Sequence, residues 1–79
     1  MLSSGDMIID TTCNNVGILV ERVRRISIEN DDVYFWIVVW ADEPHSSGGR
    51  PMTLHMEEEG LKMSVVIGLY DLFCPEEHR

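Results

Sequence analysis

The chain has 79 residues, with 6 Lys or Arg against 14 Asp or Glu, so its formal net charge is −8. Hydrophobic residues make up 44% and charged residues 25%, which is typical of a globular protein rather than a disordered one. The length allows one domain with a small core. The acidic excess argues against a nucleic-acid backbone or an anionic membrane as the main partner, because both attract clustered Lys and Arg.

The apolar and cysteine patterns argue against a membrane-spanning protein and against a secreted, disulfide-rich one. The longest apolar stretch, residues 33–41, has nine residues, whereas a membrane-spanning helix needs about 20. The first residues lack a basic segment followed by an apolar one, so we expect no secretory signal and a cytoplasmic location. Cys13 and Cys74 are too few for a disulfide scaffold, and a bridge between them is disfavoured in that compartment.

The first half of the chain predicts a strand and then a hairpin. Residues 6–10 form a short apolar run between turn formers, which is typical of a strand. A second strand opens at residues 16–23, and Gly17 near its start indicates a close backbone approach or a bulge. The alternation slips phase through residues 24–28, which predicts a bulge or a sharp bend. The polar run 29–32 predicts the hairpin turn into the next strand.

The third strand, residues 33–40, is the most informative segment because both of its faces are apolar. Strict alternation would indicate a sheet with one solvated side. Its absence predicts that the second face is covered by another element or by a partner. The two faces consist of Val33, Phe35, Ile37 and Val39, and of Tyr34, Trp36, Val38 and Trp40.

The second half of the chain completes a small mainly β domain. Residues 42–51 predict a loop, 52–56 a fourth strand and 69–73 a last strand before a polar tail at 75–79. Residues 57–67 favour one short helical turn, because acidic residues suit a helix N-terminus, although they also alternate as a strand would. Five short strands joined mainly by hairpins predict a five-stranded antiparallel barrel.

Four short motifs resemble a known family. They are GDMII at residues 5–9, VGILVE at 16–21, VVW at 38–40 and EEGL at 58–61. Their order resembles the small SH3-like barrel proteins of tailed bacteriophages, and similar openings occur in KOW and Tudor-type barrels. The resemblance implies an SH3-like barrel spanning residues 1–79, with its core at about 5–73, and a viral origin. It implies no catalytic residues.

Candidate chemistry is weak in this sequence. The acids at 57–59 beside His55 are interpreted as a solvated turn rather than an acid–base pair. The SSGG segment at 46–49 lacks the Lys and the helix of a phosphate loop. No zinc spacing is formed by the candidate ligands, which are Cys13, His45, His55, Cys74 and His78. We therefore expect no enzyme activity, metal or cofactor.

A nucleic-acid role has one argument in its favour. Three arginines on the second strand lie beside an aromatic strand, as in some single-strand binders. The net charge of −8 opposes this role, and nucleic acid is not expected as a partner. We expect Arg22, Arg24 and Arg25 to pair across the hairpin instead, with Glu21, Glu29 or Asp32.

The favoured function is protein binding through the third strand. Tyr34, Trp36 and Trp40 are the predicted apolar anchors, because Trp and Tyr are enriched in interfaces. The alternative is that these aromatic residues are core. Arg22, Arg24 and Arg50 are predicted to supply polar contacts at the rim. The partner would be a host protein, a phage protein or a second copy of the chain.

The second hypothesis uses the acidity. A rigid acidic protein can imitate the phosphates of a nucleic acid and inhibit a host DNA- or RNA-binding protein. Solubility alone also accounts for such charge. The residues that would serve this role are Asp31, Asp32, Asp42, Glu43, Glu57, Glu58 and Glu59.

Overall fold

The fold is one antiparallel sheet with a single helix, described here for residues 2–41 and 52–74 of a computed structural model. The sheet order is β4-β3-β2-β1-β5, with β4 and β5 at its edges. This confirms the mainly β, five-stranded antiparallel prediction; closure into a barrel stays a prediction. The elements are β1 (Met7–Asp10), β2 (Val16–Ile26), β3 (Asp32–Trp40), β4 (Met52–Glu57), α1 (Glu58–Val66) and β5 (Tyr70–Phe73).

The predicted hairpin between β2 and β3 is confirmed, with its turn slightly earlier than the acidic run suggested. The Ser27 amide donates to the Asp31 carbonyl at 2.9 Å, and the Asn30 amide donates to the Ser27 carbonyl at 2.9 Å. Asn30 has a φ of 64°, a conformation that Asn tolerates better than most residues. Asp32, predicted as part of the turn, is the first residue of β3.

The predicted irregularity in β2 is a bulge at Val20. Leu19 pairs with Val38, but the next pair is Glu21 with Ile37, so β2 carries one extra residue there. The bulge lies before the arginines, earlier than the phase slip suggested. Since side chains alternate, the extra residue places Arg22 on the same face as Leu19.

The core lies between one face of the sheet, here called the inner face, and helix α1. Leu61 of α1 is 2% exposed and packs into this core. Leu2 is also buried in this core. The core therefore begins before residue 5, which the sequence predicted as its start. The buried apolar residues are Leu2, Ile8, Leu19, Trp36, Val38, Trp40 and Leu61.

At Gly17 the close neighbours are the side chains of Val38 and Trp40, whereas the sequence predicted a close backbone approach or a bulge. A Cβ built on Gly17 would lie 2.9 Å from Val38 Cγ1 and 3.0 Å from Trp40 Cε3. Any larger residue at position 17 would displace these two core side chains. The glycine therefore lets β3 pack its large inner-face residues against β2.

Residues 58–66 form a helix of nine residues, longer than the short helical turn predicted. Glu58 and Glu59 lie in its first turn, where negative charge suits the helix dipole. The helix ends at Val66, and Gly68 just beyond it has a φ of 85° and an amide that donates to the Val65 carbonyl at 3.2 Å. No helix in the described part of the chain is long and apolar enough to cross a membrane.

Candidate functional site

The face of the sheet opposite the core, here called the outer face, is largely apolar. Residues paired across antiparallel strands share a face, so Phe73, Met7, Ile18 and Val39 form one row across four strands. Ile37 and Phe35 continue this apolar surface along β3. The apolar residues of the outer face are Met7, Ile9, Val16, Ile18, Val23, Val33, Phe35, Ile37, Val39 and Phe73.

Helix α1 packs on the inner face through Leu61, while the apolar residues of the outer face are half-buried or exposed. Ile18 is 45% exposed, and Val20 at the adjoining bulge is 48% exposed. Isolated exposed apolar residues are ordinary, but a contiguous apolar surface is typical of an interaction site. The second apolar face of β3, which the sequence predicted to be covered, is this surface.

Polar side chains also lie on the outer face, and they are Glu21, Arg25, Thr53, His55, Glu57 and Asp71. Arg25 Nη2 donates to His55 Nδ1 at 2.8 Å. The Arg25 guanidinium also lies 5.1 Å from the centre of the Phe35 ring, within cation–π range. The pair supplies hydrogen-bonding groups next to the apolar row, as the polar rim of an interface would.

The two tryptophans proposed as surface anchors lie in the core. Trp36 is 3% exposed and Trp40 is 4% exposed, because inner-face positions of β3 point at Leu61 and the body of the domain. The alternative prediction, that these aromatic residues belong to the core, is therefore the correct one for Trp36 and Trp40. Tyr34 is half-buried, with the Arg22 guanidinium 3.6 Å from its ring centre.

Arg22 pairs with the helix, so its predicted pairing across the hairpin is wrong. Its Nε donates to Glu58 Oε2 at 2.6 Å and its Nη2 donates to Glu58 Oε1 at 3.2 Å. Lys62 Nζ lies 3.3 Å from the same carboxylate. Hydrogen bonding by Arg22 lowers the pKa of Glu58 and raises the pKa of Arg22. Arg22 thus has a structural role in holding α1 to the sheet.

The remaining arginines have separate positions. No salt bridge within the described residues joins Arg24 or Arg25 to Glu21, Glu29 or Asp32, contrary to expectation. Arg24 is exposed beside the hairpin, and Arg25 contacts His55 on the outer face. Arg50, Asp42 and Glu43 lie outside the described residues.

Part of the predicted acidic surface converges on one cleft of about 170 Å³, here called the acidic cleft. Glu58 is largely buried there and neutralised by Arg22 and Lys62, so it adds little negative charge to the surface. Asp31 is exposed in the hairpin turn. The lining residues are Asp32, Val33, Tyr34, Glu57, Glu58 and Glu59.

A second cleft of about 170 Å³, here called the edge cleft, lies beside β4. Hydrogen bonds from Thr12 lower the pKa of Asp10 in this cleft. Burial raises the pKa of Tyr70, whose ring lies 5.6 Å from that of Trp40. The lining residues are Asp10, Asn15, Trp40, Met52, Leu54, Met56 and Tyr70.

Metal-ligating and redox groups are dispersed. Within the described residues no three His, Cys, Asp or Glu side chains are grouped so as to hold a metal ion. Cys13 and Cys74 do not form a disulfide. A cavity of about 300 Å³ is lined by Leu2, Lys62, Val65, Val66 and Leu72. It offers one ammonium group and aliphatic carbon, without an acid–base pair.

Comparison of the chain with protein-family models, with curated proteins and with solved structures finds no match. The site is therefore assigned from its own geometry. The sequence singled out β3 as the binding strand and favoured its aromatic face, but Trp36 and Trp40 of that face lie in the core. The available signal was residue size: Trp and Tyr suit the centre of a small core, whereas Val and Ile at alternate positions fit either side of a sheet.

Proposed function

We propose that this chain is a non-enzymatic accessory module that binds another protein through the outer face of its sheet. The supporting observation is the apolar row Met7, Ile18 and Val39 on the face opposite the core, at the centre of which Ile18 is 45% exposed. With the motifs that resemble phage SH3-like proteins, this favours a viral protein that acts in the host cytoplasm. The partner would present an apolar surface with acceptors for Arg25.

The outer face fits a protein better than a small molecule. It is a sheet surface that spans several strands, whereas small-molecule sites are concave and bury most of the ligand. An interface is expected to combine an apolar centre with a polar rim, which here are Ile18 with Val39, and Arg25 with His55. The binding energy would come mainly from burial of aliphatic side chains.

The experiment is affinity capture with the tagged full chain, from a lysate of the cells in which the protein is naturally made. The wild type, Ile18→Lys and Ile67→Lys are compared. Ile67 is 61% exposed beyond the end of α1 and provides a matched control for an added charge. The proposal predicts that a band captured by the wild type and by Ile67→Lys is lost with Ile18→Lys. Equal capture by all three chains would reject it.

A second candidate function, acidic mimicry of a nucleic acid, is favoured by the acidic cleft. Asp32, Glu57 and Glu59 flank this cleft, and the chain carries a net charge of −8. Counterion release would make such binding fall steeply with salt, whereas burial of the outer face would not weaken in this way. Capture at about 50 mM and 500 mM salt separates the two functions. Loss of the captured protein at high salt, and in the Glu57→Gln/Glu59→Gln variant, would favour mimicry.

A further inference from the structure

Strand β4 is an edge strand without the usual protection against pairing. It forms six uninterrupted pairs with β3, and no strand in the described residues pairs with its other side. Edge strands are commonly protected by Lys, Pro or a bulge, because their free N–H and C=O groups template pairing with another chain. The sequence MTLHME contains neither Lys nor Pro, and its only formal charge is at the last residue.

The opposite edge, β5, is better protected. It has four residues, two fewer than the six of β4. The segment before it is held by Thr11, whose hydroxyl lies 3.0 Å from the carbonyls of Gly68 and Leu69. The Thr11 amide also donates to the Leu69 carbonyl at 3.0 Å. These bonds hold the start of β5 to the end of β1, so the two free edges differ in length, and β4 offers the longer run of unpaired backbone groups.

The edge cleft gives β4 a second feature that suits an added strand. Leu54 projects from β4 on the inner side and is 38% exposed, while Met52 and Met56 on the same side pack against the core. Alternate side chains of a strand added beside β4 would project on this side as well. They would cover Leu54 and extend the apolar lining of the cleft.

We propose that the occupant is β4 of a second copy of this chain, paired antiparallel across a two-fold axis. With His55 at the axis, Leu54 of one copy lies opposite Met56 of the other, and Thr53 lies opposite Glu57. Every strand pair is then apolar or hydrogen-bonding, and no like charges of β4 itself face each other.

Because β4 carries almost no charge, it favours pairing with a second copy of itself over pairing with a peptide that binds through opposite charge. Each copy carries a net charge of −8, yet β4 contributes only Glu57 near the axis. Two paired six-residue strands bury less area than a standard interface of about 1,600 Å², so the dimer is weak and concentration-dependent. Added salt screens the repulsion between the copies and strengthens the dimer. This inference does not rest on the proposed function, because the pairing uses the backbone edge of β4, and of the residues proposed to bind the partner only His55 borders both surfaces.

The test is sedimentation equilibrium of the full chain at concentrations of about 10 µM to 1 mM, the range for weak dimers. The wild type is expected to dimerise, more strongly at high salt. Leu54→Lys places an ammonium beside the pairing edge and is expected to weaken the dimer at least about tenfold. Val66→Lys, at a helix position that is 79% exposed, is the matched control and is expected to dimerise as the wild type does.

A second edge variant keeps the proposal testable if Leu54→Lys fails to fold. His55→Glu places two carboxylates opposite each other at the axis, on the solvated side, and each can still pair with its own Arg25. It is expected to weaken the dimer as strongly as Leu54→Lys. A wild type that stays monomeric throughout would overturn the proposal. So would a dimer lost only in Ile18→Lys, since the outer face would then be the dimer interface.

Discussion

Arg22 on β2 and Glu58 at the start of α1 form a two-pronged ion pair, with donor–acceptor distances of 2.6 and 3.2 Å. The same guanidinium stacks on Tyr34 of β3. One side chain thus connects two strands and the helix. Because Glu58 is 8% exposed, this pair also satisfies a largely buried carboxylate.

The Glu58 pair predicts a specific pH dependence of stability. Hydrogen bonding by Arg22 lowers the pKa of Glu58 below its ordinary value of 4.5. A carboxyl group whose pKa is lowered on folding stabilises the fold above its ordinary pKa, and this stabilisation is lost as the pH falls through the folded-state pKa. We expect Glu58→Gln to be less stable than the wild type at pH 7, with a difference that shrinks below about pH 4.5.

Urea unfolding between pH 7 and pH 3 measures this difference. Glu59→Gln is the matched control, because the Glu59 side chain is 77% exposed and contacts only Lys62, at 3.5 Å. Its stability is expected to follow that of the wild type closely at every pH. A Glu58→Gln deficit that stays constant with pH would show that packing, and not ionisation, accounts for the effect.

Two glycine-to-alanine substitutions are expected to have opposite effects. Gly17→Ala places a Cβ 2.9 Å from Val38 Cγ1, so we expect a loss of about 1–3 kcal/mol in the free energy of unfolding. Gly60→Ala lies within α1 with no atom within 4 Å of the new Cβ, so we expect a gain of about 0.5–1 kcal/mol. Thermal unfolding of both variants measures these changes in stability. A Gly17→Ala variant as stable as the wild type would contradict the close packing of Val38 and Trp40 on Gly17.

The tryptophans are expected to behave as core residues. Trp40→Ala removes a side chain that is 4% exposed, and such truncations cost about 3–5 kcal/mol. In a domain of this size we expect circular dichroism to show a largely unfolded chain at 37 °C. Ile28→Ala in the hairpin turn, where the side chain is fully exposed, is expected to leave stability within about 0.5 kcal/mol. A native circular-dichroism spectrum for Trp40→Ala would contradict the assignment of Trp40 to the core.

Much of the fold could be predicted from the sequence, because it is specified locally. Alternation, turn formers and β-branched runs indicated all five strands, and the two-faced pattern of β3 indicated a second surface. The pairing of Arg22 with Glu58 joins residues 36 positions apart and left no local signal. The bulge at Val20 decides which side chains of β2 face the core, and its position could not be predicted from the alternation alone.

The central claim, that the outer face is the binding surface, is tested most directly by measuring the affinity of the captured partner for purified Ile18→Lys. Isothermal titration compares this variant with the wild type and with Ile67→Lys, after circular dichroism has shown all three folded. An ammonium in the middle of an apolar interface predicts at least a tenfold weaker complex for Ile18→Lys only, and a negative heat-capacity change for the wild type. An affinity for Ile18→Lys equal to that of the wild type would contradict the claim.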